Sequence, residues 1–151
     1  MLDDTDRRIL RQMLADPAAD NAALAERAGV TPATLWRRLD RMREHGILQG
    51  IEARIDWRAL GYEVEVSLRF TLDKTEPRAF DAFTAAAREV PEVIEIQTFL
   101  GSVDIRLSVI ARDMAHWQEI YRSRILPLPH VTDIEPLMLV ATLKDSAELP
   151  L

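Results

Sequence analysis

Near the N-terminus, apolar residues recur at helical spacing and predict a run of three helices. The first is predicted over about Asp4–Ala15 and stops at Asp16-Pro17, and the acids at its start suit the positive end of the helix dipole. Asn21 is predicted to cap a second, short helix, and Gly29 to end it as a left-handed C-cap residue. The expected inward side chains of these two helices are Ile9, Leu10, Met13, Leu14, Leu24, Ala25 and Ala28.

The third helix has a strong start signal, because Thr31-Pro32 supplies a capping residue followed by proline at the first helical position. It is predicted to continue to His45 and to be terminated by Gly46. Two helices that cross steeply need a small residue where they approach, here Ala25, and a glycine at the turn, here Gly29. With arginines following at this spacing, the pattern favours a DNA-binding helix-turn-helix over a plain helical hairpin.

From Tyr62 onwards the pattern changes to period two, which predicts a strand with one buried face up to Leu72. The elements expected after it are a helix over Glu76–Val90, strands over Glu92–Leu100 and Val103–Ala111, a helix capped by Asp113 and a last strand over Val131–Leu143. The order β-α-β-β-α-β is the ferredoxin-like arrangement, so the fold class is α+β, with a helix-turn-helix domain before a ferredoxin-like domain.

Between these two parts, the segment from Gly46 to Asp56 is predicted to be a short strand after its glycine. It leads through Trp57 to Leu60-Gly61, where we place the domain boundary. The predicted division is therefore a helix-turn-helix domain over residues 1–48, a strand-and-hinge linker over 49–61 and a second domain over 62–151.

The last strand is apolar on both sides, although the helices of this arrangement cover only one face of the sheet. Burial of both sides requires a second cover, and another copy of the same domain is the economical candidate, so we expect a homodimer. The alternating apolar sets are Ile134, Met138 and Val140 on one side and Leu137, Leu139 and Leu143 on the other. Charged residues of the uncovered face could pair within the sheet, pair across a dimer or be solvated; they are Glu63, Glu65, Arg69, Glu95 and Arg106.

The net charge of −6 is unusual for a protein that binds DNA, so its distribution decides the interpretation. Residues 1–60 carry ten arginines and ten acids, whereas residues 61–151 carry nine Lys+Arg and fifteen acids. Residues 27–43 hold five arginines against Asp40 alone, a local charge of +4. Because charges beyond about 8 Å are largely screened at physiological salt, such a local patch is what phosphate binding needs. Arginines also decorate ordinary solvated helices, so charge alone leaves both interpretations open.

Composition excludes several other classes of protein. A hydrophobic fraction of 48% and a charged fraction of 29% are typical of a folded chain. With no cysteine there is no disulfide framework and no thiolate metal site, and His45, His116 and His130 are too far apart for a familiar metal-ligand spacing. No apolar run approaches a membrane span, and the acidic N-terminus is unlike a secretory signal, so we expect a cytoplasmic protein without a cofactor or metal.

Seven segments of the two domains occur in a characteristic order and spacing. They are Leu2–Leu10, Leu24–Pro32, Arg37–Leu39, Gly46–Ala53, Pro91-Glu92-Val93, Gly101–Asp104 and Leu143-Lys144. Taken together, they make the chain similar to the Lrp/AsnC (feast/famine) family of transcription regulators. The resemblance covers essentially the whole chain.

The resemblance implies a winged-type helix-turn-helix joined to a dimeric sensor domain, often assembled into octamers. It also implies that an amino acid or related metabolite binds between sensor domains, at the turn before the third sheet strand and at the last strand. The residues implied at that effector site are Gly101, Ser102, Val103, Asp104, Leu137, Met138 and Leu139. The chain departs from the family pattern at Val103, where an aromatic is frequent, and at His130, where glycine is usual. Asp104 could receive an amino group, or it could cap the turn or pair with an arginine.

The third helix is expected to be the DNA recognition helix, since its buried face leaves the arginine side free. Its N-terminal part should enter the major groove of double-stranded DNA. We predict that Thr34 and Arg37 reach base edges, with Ala33 permitting close approach. Arg38 and Arg41 are predicted to hold phosphates.

Two further residues of this helix complete the predicted contact set. The amide end of the helix near Thr31 is also predicted to hold phosphate. Trp36 is ambiguous between packing within the protein and contacting DNA. The face expected to be buried consists of Leu35, Leu39 and Met42.

An enzyme on the same two-domain layout is the alternative hypothesis, because relatives of this kind include tetrapyrrole (siroheme-type) decarboxylases. Catalysis would need a cationic pocket with a histidine for the propionate groups. His116 with Arg112 or Arg122 is the candidate set, whereas a histidine on a helix surface is usually only solvated. We therefore predict a regulator and not an enzyme.

Overall fold

The computed structural model describes residues 2–144 and 149–151. The chain divides into two compact units, one formed by Met1–Arg54 with Lys144–Leu151 and the other by Ile55–Leu143. The predicted second domain differs from the second unit, because it starts at residue 62 and includes the C-terminal residues that group with the first unit. Among the described residues, none of the helices combines the length and the apolar character that crossing a bilayer requires.

The first unit contains the three predicted helices, α1 (Asp4–Ala15), α2 (Asn21–Ala28) and α3 (Pro32–Glu44). The predicted cap of α2 is wrong: Asn21 is the first helical residue, and the carboxylate of Asp20 accepts a hydrogen bond from the amide of Ala23 at 2.8 Å. A capping side chain must precede the helix to reach the third amide, which Asp20 does. Gly29 ends α2 with φ +63°, as predicted, and Thr31 caps α3.

Packing in the first unit follows the predicted apolar stripes. The helices meet through small and branched side chains, and α3 contributes three of the buried residues. The core consists of Ile9, Leu24, Ala25, Ala28, Leu35, Leu39 and Met42, all less than 5% exposed. Leu10 and Met13 pack against it in part. Leu14 was predicted to point inward, but it is 37% exposed, so that prediction is wrong.

The strand predicted within Gly46–Asp56 is absent from the structure, so this prediction is wrong. The structure shows neither helix nor strand there, and Ile51 and Ile55 are about two-thirds exposed, at 67% and 65%. A strand is defined by hydrogen bonds to a neighbouring strand, and none of the described strands pairs with this segment.

The second unit has the predicted β-α-β-β-α-β order. Its elements are β1 (Val64–Leu72), α4 (Ala79–Arg88), β2 (Val93–Thr98), β3 (Ile105–Ala111), α5 (Met114–Ile120), a π-helical turn (Tyr121–Ile125) and β4 (Val131–Met138). The strands form an antiparallel sheet in the order β2-β3-β1-β4. This is the ferredoxin-like topology, which confirms the predicted α+β class.

One face of this sheet is covered by the helices. Alternate residues of β1, including Val66, Leu68 and Phe70, are completely buried, and the ring of Phe70 lies 4.8 Å from the ring of Phe83 on α4. The alternate apolar residues of β1 therefore form the buried face that the period-two pattern predicted.

The opposite face carries charged pairs within the sheet. Arg106 donates to Glu95 at 2.9 Å, Arg69 lies 3.5 Å from Glu135, and the hydroxyl of Ser108 donates to Glu65 at 2.9 Å. Of the interpretations left open above, pairing within the sheet is therefore the one seen in this chain. Beside these pairs, the end of β4 and the residues after it expose apolar side chains, with Leu137, Met138 and Leu139 at 36%, 53% and 38% and Val140 and Leu143 at 96%.

Candidate functional site

Helix α3 presents one face outward because its other face forms the core of the first unit. Leu35, Leu39 and Met42 are at most 3% exposed. The residues predicted to point away from them, including Ala33 and Arg37, are exposed. The arrangement leaves the N-terminal half of α3 free to enter a groove.

The start of α3 is ordered by its own side chains. The hydroxyl of Thr31 accepts a hydrogen bond from the amide of Thr34 at 3.2 Å and donates to the hydroxyl of Thr34 at 2.9 Å. Trp36 is 59% exposed, so packing in the core of its own unit is not its role. The structure therefore places Thr31, Ala33, Thr34, Trp36 and Arg37 together on the open side of the helix.

Arg38 and Arg41, by contrast, make ion pairs with α1. One guanidinium nitrogen of Arg38 lies 2.7 Å from Asp3 and 2.8 Å from Asp6, and a nitrogen of Arg41 lies 2.6 Å from Asp6. The hydrogen bonds to Asp3 and Asp6 raise the pKa of Arg38, and the bond from Arg38 lowers the pKa of Asp3 to about 2. From the sequence, the acids at the start of α1 were expected only to suit the helix dipole; the structure shows that Asp3 and Asp6 also pair with α3.

In the second unit, Asp104 is fixed by several hydrogen bonds at the turn before β3. Its amide donates to the carbonyl of Phe70 at 2.9 Å, and its carboxylate accepts from the amide of Leu72 at 2.8 Å and pairs with the ammonium of Lys74. The amide of Leu72 and the ammonium of Lys74 lower the pKa of the Asp104 carboxyl below its ordinary value. Asp104 thus holds the turn, as one of the alternatives predicted, and its partner is a lysine.

Two cavities flank this turn. One, of about 550 Å³, is lined among others by Lys74, Phe80, Phe99 and Asp104. The other, of about 320 Å³, is lined by the residues of the turn itself and by two guanidinium groups, namely Arg69, Phe99, Leu100, Gly101, Ser102, Val103 and Arg106. The predicted turn residues therefore border space that a small molecule could occupy, with a carboxylate on one side and guanidinium groups on the other.

Leu137, Met138 and Leu139 do not join the turn within one chain. Met138 pairs with Val66 on β1, whereas the amide of Asp104 bonds to the carbonyl of Phe70, four residues further along β1. At 3.3 Å per residue these positions are about 13 Å apart along the strand, and β3 and β4 flank β1 on opposite sides. Within one chain the two predicted parts of the effector site therefore lie apart.

The histidine of the alternative enzyme hypothesis is engaged in local contacts. The Nδ1 atom of His116 accepts from the amide of Arg112 at 3.1 Å, and its Nε2 atom lies 3.8 Å from Glu92. Arg124 pairs with the same carboxylate at 2.7 Å. Glu92 therefore places a carboxylate, already paired with Arg124, beside His116, which is unfavourable for binding a propionate there.

Family models match both units of the chain. A winged helix-turn-helix DNA-binding model matches residues 2–49, and the Lrp/AsnC ligand binding domain matches residues 65–149. The chain belongs to the Lrp/AsnC family. As an Lrp/AsnC protein it is a transcriptional regulator with a DNA-binding helix-turn-helix and a ligand-binding domain.

Individual relatives agree with this assignment. The proline dehydrogenase transcriptional activator of Rhodobacter capsulatus is 32% identical over 87% of this Lrp/AsnC chain and 85% of its own. The transcriptional regulator NMB0573 of Neisseria meningitidis, solved with L-Met, superimposes with a TM-score of 0.90 at 25% identity and covers 99% and 97% of the two chains. The feast or famine regulatory protein of M. tuberculosis complexed with L-methionine gives 0.85 at 26% identity over 99% of both.

Proposed function

We propose that this regulator recognises operator DNA through the N-terminal half of α3 and that an amino acid or a related small molecule modulates it through the sensor domain. The observation that carries the DNA part is the presentation of α3: a buried Leu35-Leu39-Met42 face holds Arg37 outward. A helix presented in this way is the element that enters the major groove in helix-turn-helix proteins.

Within this helix, we assign base contacts to Thr34 and Arg37, with Ala33 allowing close approach. The amide end at Thr31 suits a phosphate, because the first amides of a helix point at an anion. Trp36, which is exposed, would lie against the sugar-phosphate backbone.

Arg37 is tested against a matched arginine of the same helix. Arg37→Ala should reduce the preference for operator over random DNA by roughly ten- to a hundredfold, since a bidentate arginine–guanine pair is worth about 1–3 kcal/mol of discrimination. Arg43→Ala removes the same charge from an exposed position in the last turn of α3 and should weaken both duplexes equally. If fluorescence anisotropy titrations show that Arg37→Ala weakens binding to operator and to random DNA by the same factor, the base-reading role is contradicted.

The effector is proposed to be an amino acid because Asp104 already holds an ammonium group, that of Lys74, at the rim of a cavity. An α-ammonium group has the same charge and donors. The complexes of two structural neighbours with L-methionine support the same class of ligand. Gly101, Ser102 and Val103 of one copy would line the site together with Leu137, Met138 and Leu139 of another.

Asp104 is tested by ligand-induced stabilisation. With L-methionine or L-leucine at 100 times Kd, thermal unfolding should show about 2.7 kcal/mol of added stability. Asp104→Asn should abolish this shift. Asp73→Asn is the control, because Asp73 lines the same cavity but is bonded to Thr75. A full ligand shift in Asp104→Asn would overturn the assignment.

Assembly and location complete the proposal. We propose a homodimer, with octamers as a further assembly, because the end of β4 exposes a run of apolar side chains from Leu137 to Val140. A regulator of transcription acts where the chromosome lies, so we propose the cytoplasm. The relatives named above are transcriptional regulators, and we propose no enzymatic activity for this chain.

A further inference from the structure

Asp6 is a completely buried carboxylate that binds two arginines of the recognition helix. Its relative exposure is 0%. One of its oxygens accepts from Arg38 at 2.8 Å, and the other accepts from Arg41 at 2.6 Å and from the amide of Asp3 at 3.1 Å. A buried charge is strongly unfavourable unless it is paired and hydrogen-bonded, and here both oxygens are. The two guanidinium groups are therefore held by a strong local partner.

These contacts change the charge that α3 presents to DNA. Arg38 and Arg41 are two of the five arginines between residues 27 and 43, and they account for half of the local charge of +4. Both are paired with carboxylates from outside that segment, and the Arg38 side chain is only 18% exposed. Arg37, on the open face of the helix, remains exposed.

We propose that Asp6 is a positioning residue that restrains Arg38 and Arg41 and so limits their contacts with phosphate. Phosphate contacts bind every DNA sequence alike, whereas base contacts discriminate between sequences. Withholding two cations from phosphates therefore lowers the affinity for operator and random DNA alike and leaves discrimination to the base contacts proposed for Arg37. This inference rests on the proposed DNA interface of α3.

The test variant is Asp6→Asn, which preserves the shape of the side chain and removes its charge. Each released arginine should add one phosphate contact, worth about 0.9 in the slope of log K against log salt. We expect the slope on random duplex to steepen by about 1 to 2, the affinity at low salt to rise at least tenfold and the ratio of operator affinity to random affinity to stay unchanged. Asp4→Asn is the control, since Asp4 lies in the same turn of α1 but is exposed, and its slope should stay within about 0.5 of the parent.

A second variant keeps the inference testable if Asp6→Asn does not fold, which circular dichroism will show. Arg41→Gln removes a cation that is already restrained, so the slope on random DNA should change by less than about 0.5. A drop of about 0.9 would show that Arg41 binds phosphate freely and would overturn the inference. So would an unchanged slope in folded Asp6→Asn.

The two proposals fail in different ways. If the parent protein prefers no operator over random DNA, base recognition by Arg37 is refuted, but the role of Asp6 is not. The role of Asp6 is judged on random duplex, where Arg37 contributes no discrimination. A steeper slope in Asp6→Asn therefore supports the restraint whichever residue recognises the bases.

Discussion

At the scale of single residues, Asp3 combines two tasks that both require its negative charge. Its carboxylate accepts from the amide of Asp6 at 2.9 Å, which completes a reciprocal capping box, and it binds Arg38 of α3 at 2.7 Å. The second contact joins the start of α1 to the recognition helix. The pKa of the Asp3 carboxyl falls from 3.8 to about 2, mainly because it accepts the hydrogen bond from Arg38.

The lowered pKa of Asp3 predicts a window of acid sensitivity. A carboxyl whose pKa is lower in the folded state stabilises the fold above its unfolded pKa, and this contribution is lost as pH falls through the folded pKa. The difference in melting temperature between the parent and Asp3→Asn should be constant above about pH 5 and should disappear between 3.8 and about 2. Asparagine also caps helices well, so the cap itself survives the substitution.

The control for this measurement is Asp4→Asn, which removes an exposed carboxylate from the same turn. The difference in melting temperature between Asp4→Asn and the parent should not disappear between pH 3.8 and about 2. Because Asp3 is half exposed, added salt should shrink the offset of Asp3→Asn. An offset for Asp3→Asn that is independent of pH from 5 down to 2 would refute the ion-pair interpretation.

The outward residues of α3 were predictable from sequence, whereas the partners of its arginines were not. A period of 3.6 residues decides which side of a helix is buried, and that information is local. The pairing of Asp6 with Arg38 joins positions 32 residues apart and depends on how α1 packs on α3. A hint was available: the acids at Asp3 and Asp6 and the arginines at Arg38 and Arg41 share a spacing of three residues, which suits neighbouring turns of two packed helices.

At the scale of elements, the order and type of the strands and helices were predictable and their ends were not. The last strand was expected to reach Leu143, but β4 ends at Met138, opposite Val66 near the start of β1. One further bond, from the amide of Leu139 to the carbonyl of Glu65 at 2.9 Å, closes the ladder. A strand cannot continue past its partner, and the apolar alternation of a sequence does not show where the partner begins.

The same reasoning explains the segment after α3. Residues 51–56 alternate between apolar and charged like a strand, but none of the described strands pairs with them. The π-helical turn over Tyr121–Ile125 was equally invisible, because one extra residue in a turn shifts the helical period only locally. Local pattern thus predicts what an element is, and tertiary pairing decides its length.

At the scale of the whole molecule, the sheet of one chain leaves an apolar strip beside its paired charges. Leu137 lies opposite Ser67, on the face of the sheet that the helices do not cover. In a single chain it is 36% exposed, and Leu139, two residues on, is 38% exposed. A second copy that brings the same strip would bury both sets by one twofold operation.

This packing predicts that Leu137→Glu converts dimers to monomers, because a carboxylate in an apolar interface would be desolvated without a partner. Multi-angle light scattering at micromolar concentration should show the loss, whereas Met114→Glu, a change at a 44% exposed apolar position on α5, should leave the dimer intact. The monomer presents one recognition helix, so its affinity for an operator with two half-sites should fall to that for one half-site. Dimers that persist in a folded Leu137→Glu protein would place the interface elsewhere.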